Sequence, residues 1–505
     1  MVDKVANLKQ VLITTAAGLC VLSTSASSIT LKEVVKEVLE TNPVVQERLR
    51  NYRATRSEIG IAEAGYYPSL DLQIAVGKES KGRYSNDVTE QSFDIFQNSL
   101  VMRQNIFSGF STHERVNYQM MRTLAAAYSY LEKANDVTLQ TIKVYVDLLR
   151  QRELLRNART HVNHIQKLYD KVTKAYKAGL TKMSEVSKVR SSLSLAKSNL
   201  LVQRNRLENA MYGFRRIVGR TISLNELRPV RFNTKLPRDQ EKASMYALEY
   251  NPSVLVGKYN IKGAEALYRE SKSKYFPKLD FEMRANYNDS FSHRNIYTDR
   301  EDDFRAMLVV SYNLLNGGAD EAARLSKLSK LGQEVSVVND LKRQVMEGMD
   351  LSWSTYELSR DQIPVLKKYR DQSEETLKLY FKEYDMGERS LLDLLATEND
   401  LKRANDELIN ARYSMLIAKY RIIDAMGLTM ASIVGDVQKY YKKVGLHNDG
   451  VPNGKDTLPF SRDEDNDRIS SSKDLCENSP KSKNGKKASG CRRSINALKI
   501  LRGRK

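Results

Sequence analysis

Hydrophobic and polar residues alternate with a period of two in four segments of the chain, the pattern of a β-strand with one apolar face. The clearest segment follows Pro277, where apolar positions from 279 to 287 alternate with charged or polar ones. A similar segment follows Pro68, and each of the two is followed by a polar loop and a return segment. The predicted strands cover residues 68–80, 94–107, 277–288 and 303–315.

Between and after these strand pairs, apolar residues recur at alternating steps of three and four, which is the heptad pattern of packed helices. The series Val189, Leu193 and Ala196 is one example. About 70 residues after Gly109 contain neither Pro nor Gly, which corresponds to a helix of about 100 Å. The pattern predicts two long helical hairpins with their tips near residues 179 and 387.

The same order of elements occurs twice along the chain. The segment "LETNPVV" at 39–45 matches "LEYNPSV" at 248–254, and "GYYPSLDL" at 65–72 matches "KYFPKLDF" at 274–281. Both matches have an offset of 209, and later matches keep an offset of 208, which indicates an internal duplication. The predicted division is a signal peptide at 1–28, a first repeat at 29–219, a linker at 220–240, a second repeat at 241–432 and a tail at 433–505.

A strand face of aliphatic and aromatic side chains opposite a charged face suits a sheet between lipid and a water-filled lumen. A soluble β-sandwich would use the same alternation, but the rest of the chain is helical and supplies no second apolar sheet to cover this face. A single-chain membrane barrel needs at least about eight strands. We therefore predict a barrel that other copies of the chain complete.

The N-terminus has the layout of a secretory signal peptide. Lys4 and Lys9 precede an apolar run over residues 11–22, and small residues follow up to Ser28. Cleavage is expected between residues 26 and 28, without a lipid anchor. The mature chain is therefore expected to be exported.

The chain has a formal net charge of +20, and half of this excess lies in its last 25 residues, which contain ten Lys or Arg and no acid. Such a block predicts a solvated, disordered basic tail, with anionic lipid or polysaccharide as a possible ligand. Nucleic acid is not expected as a partner of an exported chain. Cys476 and Cys491, which lie in this tail, contribute nothing to the predicted core.

No Walker loop, dinucleotide-binding glycine motif or nucleophile elbow occurs in the sequence. His161 and His164 could share a helix face, but no Glu-x-x-His motif or carboxylate cluster accompanies them, so a solvated pair is expected rather than a metal site. We expect no enzymatic activity and no cofactor.

The duplicated "NP" helix starts, the helix-to-strand entries at Pro68 and Pro277 and the Gly-centred tips resemble the TolC family of outer-membrane channel proteins. The resemblance covers about residues 29–427. It implies an α+β membrane protein, in which three protomers each give four strands to a 12-stranded outer-membrane β-barrel. A long periplasmic α-helical coiled-coil barrel continues this β-barrel.

The resemblance also places a periplasmic gate at the hairpin tips. Tyr384 and Arg389 flank the tip residue Gly387, and in the family these residue types tie the second hairpin to an acid of the first. Glu185, next to Ser184, is the expected acid. The resemblance therefore implies a side-chain lock between the two hairpins.

Asp393 occupies the first position of the acidic ring that narrows the entrance in the family, whereas Ala396 occupies the second. The chain would then have one acidic layer where the family often has two. An alternative is that Ser390 caps the following helix and Asp393 lies in its first turn, where the helix dipole stabilises an acid by about 0.3–1 kcal/mol. Capping does not by itself explain Tyr384 and Arg389.

By this resemblance the chain is a passive exit duct of a tripartite type I protein secretion system in the bacterial outer membrane. The segment "GYYPSLDLQIAVGKES" at 65–80 looks most like that branch of the family. The implied partners are two further copies, outer-membrane lipid, an inner-membrane ABC transporter or antiporter, and a periplasmic adaptor that contacts the tips at Gly179 and Gly387. The alternatives are a multidrug efflux duct and a soluble periplasmic coiled-coil scaffold.

Overall fold

A computed structural model describes residues 29–81, 91–292 and 298–446, so the predicted signal peptide and most of the predicted tail lie outside the described residues. The first repeat forms α1 (Leu31–Thr41), α2 (Pro43–Glu63), β1 (Ser69–Lys81), β2 (Gln91–Phe107), α3 (Ser111–Lys177) and α4 (Met183–Val218). The second repeat forms α5 (Gln240–Tyr250), α6 (Pro252–Ser271), β3 (Lys278–Ser292), β4 (Thr298–Ser311), α7 (Ala319–Asp385) and α8 (Leu391–Ala425). Two short helices follow, α9 (Thr429–Val434) and α10 (Gln438–Lys443).

The four strands form one antiparallel sheet in the order β1-β2-β3-β4, so β2 and β3 join the two repeats. The apolar face predicted from alternation is open: Leu70, Leu72, Ile74 and Val76 of β1 are 60–78% exposed. None of the strand residues whose burial is described is buried. The sheet therefore has no apolar core of its own within one chain.

Strand ends differ from their predicted positions at the loop side of the sheet and, for β4, also at the helix side. β2 begins at residue 91 instead of 94, and β4 spans residues 298–311 instead of 303–315. β4 ends early because the Asn313 side chain accepts a hydrogen bond from the backbone N–H of Leu315, at 3.2 Å, and this local turn replaces the strand ladder. The residues of β2 and β4 nearest the loops pair with the neighbouring strands although they do not alternate between apolar and polar side chains.

Each strand pair is entered in the same way. A short 3-10 turn, Ala64–Tyr66 or Lys272–Tyr275, ends the preceding helix, and then Pro68 or Pro277 leads directly into β1 or β3. Because proline has a fixed φ and no N–H donor, it stops the helix and is tolerated just before a strand. The two predicted helix-to-strand entries lie where the sequence placed them.

The duplicated Asn-Pro pairs begin α2 and α6. Asn42 and Asn251 cap these helices, because each side-chain oxygen accepts the backbone N–H two residues later, at 3.0 and 2.9 Å. Their amide groups also donate to distant carbonyls, Asn42 to Ile217 at 3.0 Å and Asn251 to Ala425 at 2.8 Å. Each repeat is thus closed by a bond between the start of one helix and the end of another: α2 and α4 in the first repeat, α6 and α8 in the second.

The helices α3 and α7 are each 67 residues long, which corresponds to about 100 Å. α3 packs against α2, α4, α6 and α8, whereas α7 packs against α5, α6 and α8. Within the described ranges, no helix combines the length and the apolar character needed to cross a membrane.

The main hydrophobic core lies where α1 and α2 meet the middle of α3, the end of α8 and the helices α9 and α10. Tyr440, Tyr441 and Val444, which the sequence analysis assigned to the tail, are buried in this core. The predicted boundary at residue 433 is therefore wrong, because the folded chain continues to residue 446. The cause is a short amphipathic helix, α10, whose pattern is too brief to be recognised without its packing partners.

The predicted linker runs from the end of α4 to the start of α5 and is bound to the first described residue. Ile29 donates its N–H to the carbonyl of Glu226 at 2.8 Å. The hydroxyl of Tyr145 on α3 lies 3.0 Å from the Ile29 carbonyl and 2.9 Å from the Arg228 carbonyl. The linker thereby packs against the middle of α3 without forming a helix itself.

Candidate functional site at the hairpin tips

Both hairpins turn through the same backbone motif. Gly179 and Gly387 have left-handed φ angles of 73° and 82°. The N–H of Leu180 bonds to the Ala175 carbonyl, and the N–H of Glu388 bonds to the Glu383 carbonyl, both at 2.9 Å. This six-to-one bond after a left-handed glycine is the Schellman C-cap. The glycines predicted from the sequence to form the tips therefore do so by identical geometry.

Arg389 binds within its own hairpin. Its guanidinium donates to Glu383 through Nε at 2.8 Å and lies 4.1 Å above the ring of Tyr380, while Asp393 is 3.9 Å away. The bond to Glu383 raises the pKa of Arg389. Among the contacts of the described residues, no hydrogen bond or ion pair joins Arg389 to Glu185. The expected lock between Arg389 and the first hairpin is therefore not formed within this chain.

A different pair ties the two tips together. Lys171 of α3 forms an ion pair with Asp385 at the end of α7. The Lys171 ammonium also lies 5.9 Å from the centre of the Tyr384 ring. Burial raises the pKa of Tyr384, and the charges of Glu185 and Asp385 raise it further. Within the described residues, the two tips are thus joined by Lys171, through Asp385 and the ring of Tyr384. A contact between Tyr384 and Glu185 stays a prediction.

The acidic and hydroxyl side chains that follow the two tip turns form hydrogen bonds at the starts of α4 and α8. Glu185, in the first turn of α4, accepts a hydrogen bond from Thr181, and the neighbouring Ser184 is exposed. Ser390 caps α8, because its Oγ accepts the N–H of Asp393 at 3.2 Å and donates to the Asp393 carboxylate at 2.8 Å. Asp393 therefore has the capping geometry that the sequence analysis gave as the alternative to a gate position.

Below the tips the two hairpins share one apolar layer, here called the tip core. It combines residues of α3 and α4 with residues at the start of α8, and Phe381 and Tyr384 of α7 pack on it. Its buried members are Ile165, Leu168, Val172, Val186, Val189, Leu193, Ala196, Leu391 and Leu395. The hairpins are thus held together mainly by burial of apolar surface, and the exposed ion pairs add little.

At the extreme end of the molecule the tips expose large apolar side chains. Leu180 is 80% exposed and Met386 is 64% exposed, and Leu392 and Met183 are also exposed. The sequence analysis named only the glycines here. In the sequence an apolar residue stands beside each tip glycine, Leu180 after Gly179 and Met386 before Gly387. That these side chains are exposed follows from the turn geometry, which places them beyond the last residues of the tip core.

The two histidines singled out from the sequence are not a solvated pair. Nδ1 of His164 lies 2.9 Å and Nδ1 of His161 lies 3.4 Å from one carboxylate oxygen of Glu398 on α8. A carboxylate therefore accompanies them, contrary to the prediction, because the fold brings together residues more than 230 positions apart. Over the described part of the chain, no group of three or more His, Cys, Asp or Glu side chains is arranged to hold a metal ion.

Comparison with known proteins gives this architecture a family. The family model described as "Outer membrane efflux protein" matches residues 34–220 and 244–428, one match for each repeat. The chain belongs to this family. Its two matched segments agree with the duplication found in the sequence.

Curated relatives include proteins of both efflux and secretion. The chain is 22% identical to the outer membrane efflux protein BepC of Brucella suis over 84% of the chain and 91% of that protein. It is 22% identical to the outer membrane protein TolC of Escherichia coli over 79% and 82% of the two chains. It is 20% identical to the alkaline protease secretion protein AprF of Pseudomonas aeruginosa over 80% and 86%.

Solved structures share the fold at lower identity. The Campylobacter jejuni CmeC outer membrane channel superposes with a TM-score of 0.70 at 13% identity and covers 83% of this chain and 90% of its own. The strand pairs and long helical hairpins described above are therefore the fold of this class of channel. The resemblance to the TolC family drawn from the sequence is confirmed.

Proposed function

We propose that this chain is one protomer of a homotrimeric outer-membrane exit channel. The observation that carries the proposal is the open apolar face of a sheet with only four strands, from which two helices of about 100 Å project. Three such sheets supply twelve strands, and a closed barrel pairs the free edges of β1 and β4. The exposed leucines and valines of β1 then contact lipid.

The helices support the same assembly. Exposed apolar residues occur on α4, among them Leu195 and Leu201, and on α7, among them Leu358 and Val365. A soluble monomeric scaffold would leave all of this apolar surface in water, which costs about 1.5–3 kcal/mol for each large side chain relative to full burial. Contact between α4 of one protomer and α7 of the next covers both faces and forms a helical tube below the barrel.

The channel serves a type I protein secretion system in this proposal. Similarity to AprF, whose name describes secretion of a protease, supports this choice, as does the segment at 65–80. The exposed apolar tips around Gly179 and Gly387 give a periplasmic adaptor a contact surface, and an inner-membrane transporter supplies the energy. Similarity to BepC favours the second candidate, a multidrug efflux duct.

The gate lies at the tips. Lys171, through its ion pair with Asp385 and its contact with the ring of Tyr384, joins the two hairpins of one protomer. In this proposal Arg389 and Asp393 on the second hairpin face the neighbouring protomers, and Glu185 is the acid of the first hairpin that takes part in the gate. Exposed ion pairs contribute only about 0–1 kcal/mol each. Such weak links suit an entrance that a partner must open.

Planar lipid bilayers test the channel directly. The purified protein is expected to insert as a trimer and to give discrete single-channel conductance steps, and a protein without conductance would not be this duct. Deleting the gene separates the two candidates: loss of a secreted protein supports secretion, whereas increased sensitivity to dyes and detergents with normal secretion supports efflux.

A further inference from the structure

Glu398 on α8 is an ionisable group buried between the two hairpins. It is 4% exposed, and Oε1 is bound by the two histidines of α3 described above. Its other oxygen, Oε2, has no hydrogen-bond partner. A carboxylate this deep in the protein is costly unless a cation compensates its charge. His161 is 8% exposed and the His164 side chain is 40% exposed, so His164 is the histidine in contact with solvent.

This cluster joins the hairpins near their entrance. α3 belongs to the first hairpin and α8 to the second, and the histidines come 15 and 18 residues before Gly179. The cluster is therefore about 25 Å from the tip along the helix axis. It lies next to the tip core, through Leu395 on α8 and Ile165 on α3.

The other charged groups around the cluster are mostly paired among themselves. On α3, Lys167 lines the same cavity as His164. On α7, Glu374 and Lys378 form an ion pair and line, with His164, a cavity of about 470 Å³ between α3, α7 and α8. On α8, Lys402 pairs with Asp406. The residues that α4 contributes to this layer are apolar: Val189, Leu193 and Ala196. Glu398 is therefore left with His164, whose pKa it raises, and with His161 as a second hydrogen-bond partner.

The protonation state of the cluster depends on pH in a defined direction. Burial alone would raise the pKa of Glu398, but the hydrogen bonds from His161 and His164 lower it below 4.5. The hydrogen bond to Glu398 raises the pKa of His164 above 6.5, against burial and Lys167. The attraction between protonated His164 and ionised Glu398 is thus fully present between the ordinary pKa values of the two groups, 4.5 and 6.5. It is lost as pH rises through the raised pKa of His164, and it is lost again when Glu398 is protonated in strong acid.

We propose that His161, His164 and Glu398 form a pH-dependent latch that holds the two hairpins together in mildly acidic surroundings and releases them as the pH becomes alkaline. When His164 loses its proton, a buried carboxylate remains without a compensating cation, and the contact between α3 and α8 loosens. The latch regulates the entrance of the channel and in this respect rests on the proposed function. The switch operates over the pH range in which histidine titrates. In this proposal the protein is exported, so a change of the external pH reaches it directly.

Two measurements on the full-length protein test the latch. Spin labels on Lys177→Cys and Glu388→Cys, with Cys476 and Cys491 changed to Ser, report the separation of the tips, and bilayer recordings report conductance. Between about pH 5.5 and about pH 8.5, the range that brackets histidine titration, tip separation and conductance are expected to increase. Glu398→Gln is expected to lose this dependence, and His164→Lys, whose cation persists, to remain closed at both values.

Glu374→Gln is the matched control, because it removes a carboxylate from the same cavity but leaves the cluster intact. It is expected to keep the response of the unchanged protein. The latch is overturned if Glu398→Gln responds to pH as the unchanged protein does, or if neither responds. The label distances give this answer even without conductance, so absence of conductance with a pH-dependent distance rejects the channel and retains the latch.

Discussion

The helices α3 and α7 have the same length and occupy corresponding places in the two repeats, yet they differ in burial. Both contain 67 residues and correspond position by position at the offset of 208. From Thr123 to Val172, successive buried residues of α3 are never more than four positions apart. In α7 the buried positions are few, and several of them are serines. One duplicated helix is the centre of the protomer and the other lies at its edge.

The difference shows how a duplicated element acquires a new role. Leu149 of α3 is 2% exposed, and the corresponding residue of α7 is the exposed Glu357. α7 instead carries exposed apolar residues at heptad spacing, namely Leu351, Leu358, Val365 and Leu379. Both helices keep the same length and begin and end at corresponding positions, but the apolar residues at heptad spacing on α7 lie on a face that points away from the rest of the chain. That face is available to another copy.

The largest expected effect lies in the core of α3. Leu149→Ala leaves a cavity among α3 and its neighbours and is expected to reduce the free energy of unfolding by about 2–5 kcal/mol. Glu357→Ala, at the corresponding exposed position, is expected to change it by no more than about 0.5 kcal/mol. Chemical denaturation followed by circular dichroism measures both. Equal effects would show that the two helices do not differ in this way.

On α7, Leu358→Lys is expected to prevent assembly while the protomer remains folded. A lysine in the contact between copies replaces about 1.5–3 kcal/mol of apolar burial per protomer with an unpaired cation. Light scattering after size-exclusion chromatography in detergent distinguishes trimer from monomer. Glu357→Lys places the same charge one residue away from the seam and is expected to remain trimeric. A trimeric Leu358→Lys protein would remove the assigned role of this face.

The tips differ less than the helices, because their backbones are the same. Gly179→Ala and Gly387→Ala each place a side chain at positive φ, in open space, and are each expected to cost about 1 kcal/mol. Thermal denaturation of the two variants should give equal shifts. A clearly larger shift at Gly387 would mean that the second tip has contacts within the assembly that the first lacks.

The smallest effects concern the ion pairs at the entrance. Asp385→Asn breaks the pair with Lys171 that joins the two hairpins, and it is expected to increase single-channel conductance. Arg389→Ser removes the contacts with Glu383 and Tyr380 on the second hairpin, and conductance is again expected to rise. Each change removes about 0–1 kcal/mol. If both variants conduct as the unchanged protein does, these residues have only capping and solvation roles.

Features encoded by neighbouring residues could be predicted from the sequence. Alternation located the four strands, glycine located both tips, and Asn-Pro located two helix starts, because each depends on a few adjacent residues. The partners of the tip residues could not be predicted in this way. Glu383 and Arg389 meet across a turn, six positions apart, and Glu398 meets His164 from another hairpin. Their pairing depends on how the helices pack, and no local pattern contains that information.

The bonds from Asn42 to Ile217 and from Asn251 to Ala425 bear on how the chain could have originated. Donor and acceptor of each bond lie within one repeat, about 175 residues apart. A gene segment that encodes a whole repeat therefore carries both the asparagine and the carbonyl of this bond. A shorter copied segment would have left one asparagine without its carbonyl. Duplication of the complete unit of capped helix, strand pair and hairpin therefore preserves this bond in both copies.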